Sequence, residues 1–338
     1  MLILLPVTPD PPAPPAIEVD ALVKTYGVVE AVRGVSFTVA PGEVFGFLGP
    51  NGAGKSTTIN MLCTLARPTS GTARVHGFDI VRERDDVRRH IGLVFQDPTL
   101  DGQLTATQNL RLHAELYGIE PGAIPARMDQ MLEMVDLADR RDQPVLTFSG
   151  GMKRRLEIAR GLMHSPRVLF LDEPTIGLDP QTRSAIWRYI RALQEREGTT
   201  IFMTTHYMDE AEYCDRIAIM DRGGIVVLDT PEALKASVGA DRVVLGTADD
   251  AAALAALRDR LGIEATTAEG AVTFHVAAGE AFVPRLFAEL GVAITSVTVA
   301  RPTLDDVFMR YTGSTIRDAE ASPDHQPNAM QVFSKAAR

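Results

Sequence analysis

The stretch Phe45–Thr57 reads FGFLGPNGAGKST and decides the fold of this 338-residue chain. It contains the pattern G-x-x-x-x-G-K-[ST], whose fixed positions are Gly49, Gly54, Lys55 and Ser56. The apolar run Val44–Leu48 before it predicts a buried strand, and the residues after it predict a helix that ends near Leu65. This order of strand, loop and helix is the context in which such a loop binds phosphate groups.

The glycines let successive backbone N–H groups turn towards one point, where the N-terminus of a helix favours negative charge. We expect the phosphates to contact the whole loop: Gly49, Pro50, Asn51, Gly52, Ala53, Gly54, Lys55, Ser56 and Thr57. The Lys55 ammonium would reach the β- and γ-phosphates, and the Ser56 hydroxyl would bind Mg²⁺. A glycine-rich turn that only opens a helix is the weaker interpretation, because strand and helix are both in register. The chain is therefore predicted to bind a nucleoside triphosphate.

Composition limits the class of protein and its partners. The chain is 45% hydrophobic and long enough for two domains. Its formal charge of −10 gives no attraction to a nucleic-acid backbone, so no nucleic-acid partner is predicted. Its two cysteines, Cys63 and Cys214, indicate a reduced, cytoplasmic setting. No apolar run approaches the roughly 20 residues that cross a bilayer, which predicts a soluble protein.

Polar side chains follow several predicted buried strands. Gln96 ends one of them, where its amide can bind Mg²⁺ or the attacking water, or only cap the strand. Asp172 and Glu173 follow the apolar run Arg167–Leu171, where carboxylates can hold Mg²⁺ and accept a proton from water. His206 follows another strand and can donate to the γ-phosphate, although a lone histidine is more often structural. Open α/β sheets bind ligands at the carboxyl ends of their strands, so these residues are predicted to share a site.

The pattern changes to helices over residues 97 to 166. Within this region the sequence FSGGM offers a hydroxyl and two glycines, Ser149, Gly150 and Gly151, before a basic helix predicted over residues 153–164. They form either a simple helix cap or a second phosphate-binding device. One nucleotide has one terminal phosphate, so two such devices favour two chains that each complete the site of the other.

Taken in order, these segments resemble the nucleotide-binding subunit of ATP-binding-cassette (ABC) transporters, over about residues 17 to 235. The motifs are Tyr26 (A-loop), GPNGAGKST (Walker A, residues 49–57), Gln96 (Q-loop), FSGGM (signature, 148–152), VLFLDEP (Walker B, 168–174), GLD (D-loop, 177–179) and TTH (H-loop, 204–206). The resemblance implies an α/β P-loop NTPase domain with a mixed sheet core and a helical signature subdomain. The signature departs from the commoner LSGGQ at Phe148 and Met152, and we expect this to affect packing more than chemistry.

The same resemblance implies roles for residues and partners. Tyr26, which is predicted to lie in a turn before the phosphate loop, would stack on the adenine of ATP. Gln96 would couple the Mg²⁺ site held by Asp172 to a membrane partner. Glu173 would be the general base and His206 would contact the γ-phosphate. The residues expected to act across a head-to-tail homodimer are Ser149 and Asp179. The helical insert would bind an integral-membrane permease on a separate chain, which would place this chain at the cytoplasmic side of the cell membrane.

Beyond residue 237 the composition shifts to alanine and valine. The pattern β-α-β-β-α-β predicts a small ferredoxin-like or related two-layer α+β domain over residues 241–312, after an ATP-binding domain at 17–236. It contains no glycine-rich nest, so a regulatory or structural role is expected. The segment Pro302–Gly313 resembles the C-terminal segment of daunorubicin-resistance-type ATP-binding subunits. The Pro-rich residues 1–16 and the polar residues 313–338 are predicted to be disordered.

Several functions fit these patterns. The resemblance favours the ATPase subunit of an exporter for a hydrophobic drug or antibiotic, such as an anthracycline. Exporters of glycolipids or polysaccharides have similar ATPases, and some ABC-type ATPases act without a permease on nucleic acid or ribosomes. A non-catalytic ATP-binding scaffold is the least favoured, because the sequence retains every residue that hydrolysis needs: Lys55, Asp172, Glu173 and His206.

Overall fold

The structure is a computed structural model that describes residues 14–268 and 271–313. These residues form two compact units, of which the first runs to Leu228 and the second begins at Asp229. The ends predicted to be disordered lie outside the described residues, except for residues 14–16 and 313. Within the described ranges, no helix combines the length and the apolar character that crossing a bilayer requires.

Ten strands and seven α-helices lie within residues 14–229 of the described chain. The strands are β1 (Ile17–Tyr26), β2 (Val29–Val39), β3 (Val44–Leu48), β4 (Ser70–Val75), β5 (Phe78–Asp79), β6 (Ile91–Val94), β7 (Val168–Asp172), β8 (Thr200–Thr205), β9 (Arg216–Asp221) and β10 (Gly224–Asp229). The helices are α1 (Lys55–Leu62), α2 (Arg84–His90), α3 (Ala106–Leu116), α4 (Ile124–Met134), α5 (Gly150–Gly161), α6 (Pro180–Glu197) and α7 (Met208–Ala211).

The strands form two sheets. The order of the first is β2-β1-β4-β5, with antiparallel neighbours. The order of the second is β10-β9-β3-β8-β7-β6, and the strands from β9 to β6 run parallel. The helices α3, α4 and α5 are inserted between β6 and β7. This arrangement confirms the predicted α/β class with a mixed sheet core and a helical subdomain.

The central strand β3 is buried at all five positions, as the uninterrupted apolar run predicts for a parallel strand covered on both faces. Four phenylalanines from β2, β3 and β8 form the middle of the core. Phe47 and Phe202 meet edge to face with ring centroids 4.9 Å apart, and Phe37 stacks on Phe45 at 5.4 Å. This contact joins the two sheets and holds the phosphate loop on a rigid strand.

Some predicted boundaries are wrong, for local reasons. Helix α1 ends at Leu62 rather than Leu65, and Thr64 has a positive φ of 62° that no helix continues. The basic helix was expected to begin at Lys153 but begins at Gly150, because the Ser149 side chain caps it. Tyr26 is the last residue of β1 and does not lie in a turn.

The second unit contains α8 (Pro231–Val238), β11 (Asp241–Thr247), α9 (Asp250–Ala256), β12 (Ala265–Ala268), β13 (Ala271–Val276), α10 (Gly279–Glu289), β14 (Ile294–Ala300) and α11 (Leu304–Thr312). The sheet order is β12-β13-β11-β14, and neighbouring strands are antiparallel. This is the order that the β-α-β-β-α-β pattern predicts for a ferredoxin-like sheet. Its core includes Val243, Phe274, Leu257 and Leu286, which come from two strands and from the helical segments that follow them.

Candidate active site

Strand β3 leads into the phosphate loop, and α1 begins directly after it. Gly52 and Gly54 have φ angles of 82° and 104°, which residues with a side chain adopt only with strain. A Cβ atom at Gly49 would lie 2.3 Å from the Met220 carbonyl oxygen, and one at Gly54 would lie 2.5 Å from the Ala31 carbonyl oxygen. The backbone conformation therefore requires glycine at positions 52 and 54, and close packing requires it at positions 49 and 54. No side chain caps α1, so its first N–H groups face a position suited to an anion.

Lys55 is buried and carries a positive charge into this loop. Its Nζ donates to the carbonyl oxygens of Gly49 at 2.7 Å and Pro50 at 3.0 Å. The same Nζ lies 3.6 Å from Glu173 Oε1. A buried ammonium needs such partners, because transfer of a charge out of water is costly. The side chain thus joins the phosphate loop to the acidic end of β7.

Asp172 ends β7 and accepts hydrogen bonds from two hydroxyl groups. Ser56 Oγ lies 3.1 Å and Thr204 Oγ1 lies 2.5 Å from the same oxygen, Oδ1. Burial raises the pKa of Asp172, and these two hydrogen bonds oppose that shift. Carboxylate and hydroxyl oxygens at one point are the ligand type that Mg²⁺ prefers. The predicted metal ligands Ser56 and Asp172 are therefore in contact.

Glu173 is the residue on which the predicted catalytic side chains converge. Its Oε2 lies 3.4 Å from His206 Nδ1 and accepts from Gln96 Nε2 at 3.4 Å, while Lys55 lies on the other oxygen. Burial alone raises the pKa of Glu173, but the approach of the His206 ring and the charge of Lys55 outweigh it. The pKa therefore lies below its ordinary value, and the carboxylate is ionised and able to accept a proton.

Ser149 and Asp179 are placed at the starts of α5 and α6. Ser149 Oγ accepts from Met152 N at 3.3 Å, and Asp179 accepts from the backbone N–H groups of Gln181 and Thr182. Among the described residues, neither side chain has a hydrogen bond with the phosphate loop. Within one chain, they are thus helix caps that lie apart from Lys55 and Glu173.

Tyr26 is partly exposed at the end of β1. Lys24 Nζ lies 4.7 Å from the centroid of its ring, a cation–π distance. The structure thus gives Tyr26 an accessible aromatic surface, and its contact with adenine stays a prediction.

Two further residues of the site, Thr204 and Arg154, were given no role of their own by sequence reasoning. Thr204 Oγ1 donates to Asp172 and accepts from the backbone N–H of Glu173 at 3.0 Å, so it joins β8 to both acids. Arg154 of α5 donates to the carbonyl oxygens of both acids from behind. A threonine beside a strand end is a weak sequence signal. Arg154 is an arginine on the buried side of α5. This can be recognised only when it is known which side of the helix packs against the rest of the domain.

Two family models match the chain. The model described as "ABC transporter" matches residues 32–176, and one described as "ATP-binding protein DrrA1-3-like, C-terminal domain" matches residues 230–312. The chain belongs to the ABC transporter family, as an ATP-binding protein. It is an ATPase, which binds and hydrolyses ATP. ATP-binding proteins of this class work with membrane permeases and form dimers.

Its relatives match nearly end to end. The daunorubicin resistance ATP-binding protein DrrA3 of Streptomyces coeruleorubidus is 43% identical over 91% of this chain and 99% of that protein. The linearmycin resistance ATP-binding protein LnrL of Bacillus subtilis is 38% identical over 89% of this chain and 100% of that protein. The Nod factor export ATP-binding protein I of Paraburkholderia xenovorans is 41% identical over 90% of this chain and 99% of that protein.

Solved structures give the same class of fold. CbiO1 from Clostridium perfringens, part of the ABC transporter complex cbiONQ, has a TM-score of 0.62 and 31% identity. The match covers 66% of this chain and 91% of that one. A dimeric ATP-binding cassette in a post-hydrolysis state, bound to ADP and phosphate, has a TM-score of 0.58 and 28% identity. That match covers 63% of this chain and 98% of the other.

Proposed function

We propose that this chain drives the export of a hydrophobic drug or antibiotic by hydrolysing ATP for a permease on a separate chain. The chain then lies at the cytoplasmic side of the cell membrane, held there by the permease. The observation that carries the proposal is the end-to-end similarity to proteins named for daunorubicin and linearmycin resistance, C-terminal unit included. A relative named for Nod factor export is almost as similar, so cargo must be tested directly.

In the proposed reaction, a water molecule attacks the γ-phosphorus of ATP and transfers a proton to the Glu173 carboxylate. The bond between the γ-phosphorus and the oxygen that bridges to the β-phosphate breaks, and ADP is the leaving group. Lys55 stabilises the negative charge of the β- and γ-phosphates, and His206 donates to the γ-phosphate. The cluster of Lys55, Gln96 and His206 within 3.6 Å of Glu173 supports these roles.

The oxygen cluster at the end of β7 suits Mg²⁺. Ser56, Asp172 and Gln96 would hold the ion, which would neutralise charge on the phosphates. Ser56 and Thr204 both donate hydrogen bonds to Asp172 Oδ1 and so fix the orientation of this carboxylate. This supports the assignment of Ser56 and Asp172 as ligands.

The remaining roles concern the ligand and a second subunit. Tyr26 stacks on the adenine, and the loop from Gly49 to Thr57 surrounds the phosphates. A second chain, head to tail, supplies the residues that close the site: Ser149, Gly150, Gly151 and Asp179. The division of the chain into an ATP-binding domain at residues 17–236, with a helical subdomain at 97–166, and an accessory domain at 241–312 is part of the same proposal.

The substitution Lys55→Ala tests the chemical part. It should abolish measurable phosphate release, because it removes the chief positive side chain near the phosphates while the fold is retained. Phosphate release by the purified chain with its permease is the measurement. Lys235→Ala in α8 of the second unit is the matched control and should hydrolyse ATP normally. Near-normal turnover of Lys55→Ala would contradict the assignment.

Cells that carry this chain with its permease test the cargo. Wild type should lower the intracellular fluorescence of an anthracycline, and Lys55→Ala should raise it to the level of cells without the transporter. If wild type leaves anthracycline accumulation unchanged but changes the glycolipids in the outer leaflet, a hydrophobic drug is the wrong cargo. The assignment as an ATPase would not be affected.

A further inference from the structure

Arg154 lies in the second turn of α5, and its side chain donates hydrogen bonds to the backbone at the end of β7, where the two catalytic acids lie. Its side chain is buried, with 6% of its surface exposed. Nη2 donates to the carbonyl oxygens of Asp172 at 3.0 Å and Glu173 at 3.1 Å, and Nε donates to Pro174 at 2.6 Å. Nη1 donates to the carbonyl oxygen of Phe95, the residue before Gln96. One guanidinium thus holds the backbone of both loops that carry the catalytic side chains.

Glu157 lies one turn further along α5 and completes the arrangement. It is 1% exposed, and its Oε2 accepts from Arg154 Nη1 at 3.2 Å. Its Oε1 accepts from the backbone N–H of Thr99 at 2.7 Å. The segment that contains Gln96 is therefore anchored at Phe95, before it, by Arg154 and at Thr99, after it, by Glu157.

Burial of such an ion pair is weak evidence for stability, because desolvation offsets the attraction of the charges. Its geometry is specific instead. A planar guanidinium with five N–H donors can bind several carbonyl groups at fixed angles, which an ammonium cannot. The hydrogen bonds of Arg154 go to Glu157 and to backbone carbonyl oxygens in the segments at the ends of β6 and β7. The ion pair therefore restrains these two segments.

We propose that Arg154 and Glu157 are positioning residues that set where Gln96 lies relative to Glu173. Gln96 Nε2 lies 3.4 Å from Glu173 Oε2. Arg154 donates to the backbone carbonyl oxygens of both Phe95, next to Gln96, and Glu173. Displacement of reacting groups by about 1 Å can reduce a rate a hundredfold. Since the pair belongs to the helix that begins at Ser149, movement of that helix also moves Gln96 and the acids.

The substitution Arg154→Lys tests the inference, because it keeps the charge opposite Glu157 but loses the forked donor group. The kcat for ATP should fall by about tenfold or more, with the KM for ATP changed less than about threefold. Binding of a fluorescent ATP analogue in EDTA should be unchanged, since Lys55 and the phosphate loop are not touched. Backbone amide exchange over residues 96–99 should become faster. Arg155→Lys, the neighbouring arginine that donates to the carbonyl oxygen of Val135 in another part of the chain, is the control and should resemble wild type.

A double variant guards against misfolding. Arg154→Met with Glu157→Met leaves no unpaired buried charge, so it should fold and show the same loss of kcat. The inference is overturned if either folded variant keeps kcat within about twofold of wild type. It is also overturned if exchange at residues 96–99 does not change, or if analogue binding in EDTA falls with kcat, because the role is then structural. Wild type is measured in parallel, and absence of hydrolysis there would contradict the ATPase function instead.

Discussion

At the scale of single residues, Glu173 differs from an ordinary strand-end acid in its backbone. Its φ angle is 45°, in the left-handed region that non-glycine residues enter only with strain. Its N–H donates to Thr204 Oγ1, and its carbonyl oxygen accepts from Arg154, so neighbours on two elements hold this conformation. The turn directs the carboxylate to Lys55 and His206 instead of along the strand. The strain is located at the residue proposed to accept the proton.

A second buried acid, Glu210 of α7, supplies a pH test. Its Oε2 accepts from Thr205 Oγ1 at 2.6 Å, and its Oε1 has no hydrogen-bond partner. Burial raises the pKa of Glu210 from 4.5 to about 7, with further contributions from Asp209, which raises it, and Arg183 and His206, which lower it. In the unfolded chain the group ionises near its ordinary pKa. The folded state therefore binds more protons between about pH 4.5 and pH 7.

This difference predicts that stability falls as pH rises through that window, and Glu210→Gln should remove the fall. The variant should gain free energy of unfolding relative to wild type, by about 3 kcal/mol between pH 4.5 and pH 8. Urea unfolding at several pH values measures it. Glu212→Gln, an exposed neighbour, should show no such gain. A constant difference between Glu210→Gln and wild type at all pH values would show that Glu210 does not titrate in this range.

At the scale of secondary-structure elements, the starts of α5 and α6 are closely packed. A Cβ atom at Gly151 would lie 2.4 Å from Thr182 Cγ2, and Thr182 Oγ1 donates to Asp179 Oδ2 at 2.6 Å. A Cβ atom at Gly150 would meet only Leu178 Cδ2, at 3.6 Å, an ordinary contact. Within one chain, packing therefore requires glycine at position 151 but not at position 150.

We expect Gly151→Ala to destabilise the chain by about 1–3 kcal/mol, because the added methyl overlaps Thr182. Gly150→Ala is the matched control. It should be neutral or stabilising by up to about 1 kcal/mol, because alanine favours the helix. Thermal and urea unfolding without nucleotide measure both, so that dimer formation does not contribute. Equal effects of the two substitutions would contradict the packing argument.

At the scale of the whole molecule, the phosphate-binding groups of one chain are divided. Lys55, Asp172 and Glu173 are assembled at the carboxyl ends of parallel strands, whereas Ser149 and Asp179 cap helices and do not contact them. A dimer in which Ser149 of one chain reaches the nucleotide of the other would unite the two sets. ATP, with its γ-phosphate, would then bridge the chains and ADP would not.

Glu173→Gln should make this dimer observable. It keeps the size of the side chain but removes the proton acceptor, so hydrolysis should slow by about 10² or more and bound ATP should persist. The variant should be a dimer in ATP and a monomer in ADP, as measured by size exclusion with light scattering.

Adding Ser149→Arg to that variant should prevent the ATP-bound dimer, because it places a long side chain at the interface. The single variant Glu173→Gln in ATP is the control. If Glu173→Gln is monomeric at every ATP concentration, or if Ser149→Arg leaves its dimer intact, the two-chain site is wrong for the isolated subunit.

The sequence by itself determined the nucleotide loop, the order of the motifs and the class of both units. Gly49, Gly54 and Lys55 can be recognised because loop conformation and charge are local requirements, met within a few residues of chain. The buried run of β3 was predicted for the same reason, and it is present.

Only the tertiary structure decided how these parts meet. The left-handed backbone of Glu173, the bond of Thr204 to Asp172 and the bracing by Arg154 all depend on residues from other elements. Thr204 and Asp172 are 32 residues apart in the chain, and Arg154 and Phe95 are 59 residues apart. The geometry of such contacts follows from sheet order and helix packing, which no local pattern specifies, because a side chain's partner is set by the fold and not by its neighbours in the chain.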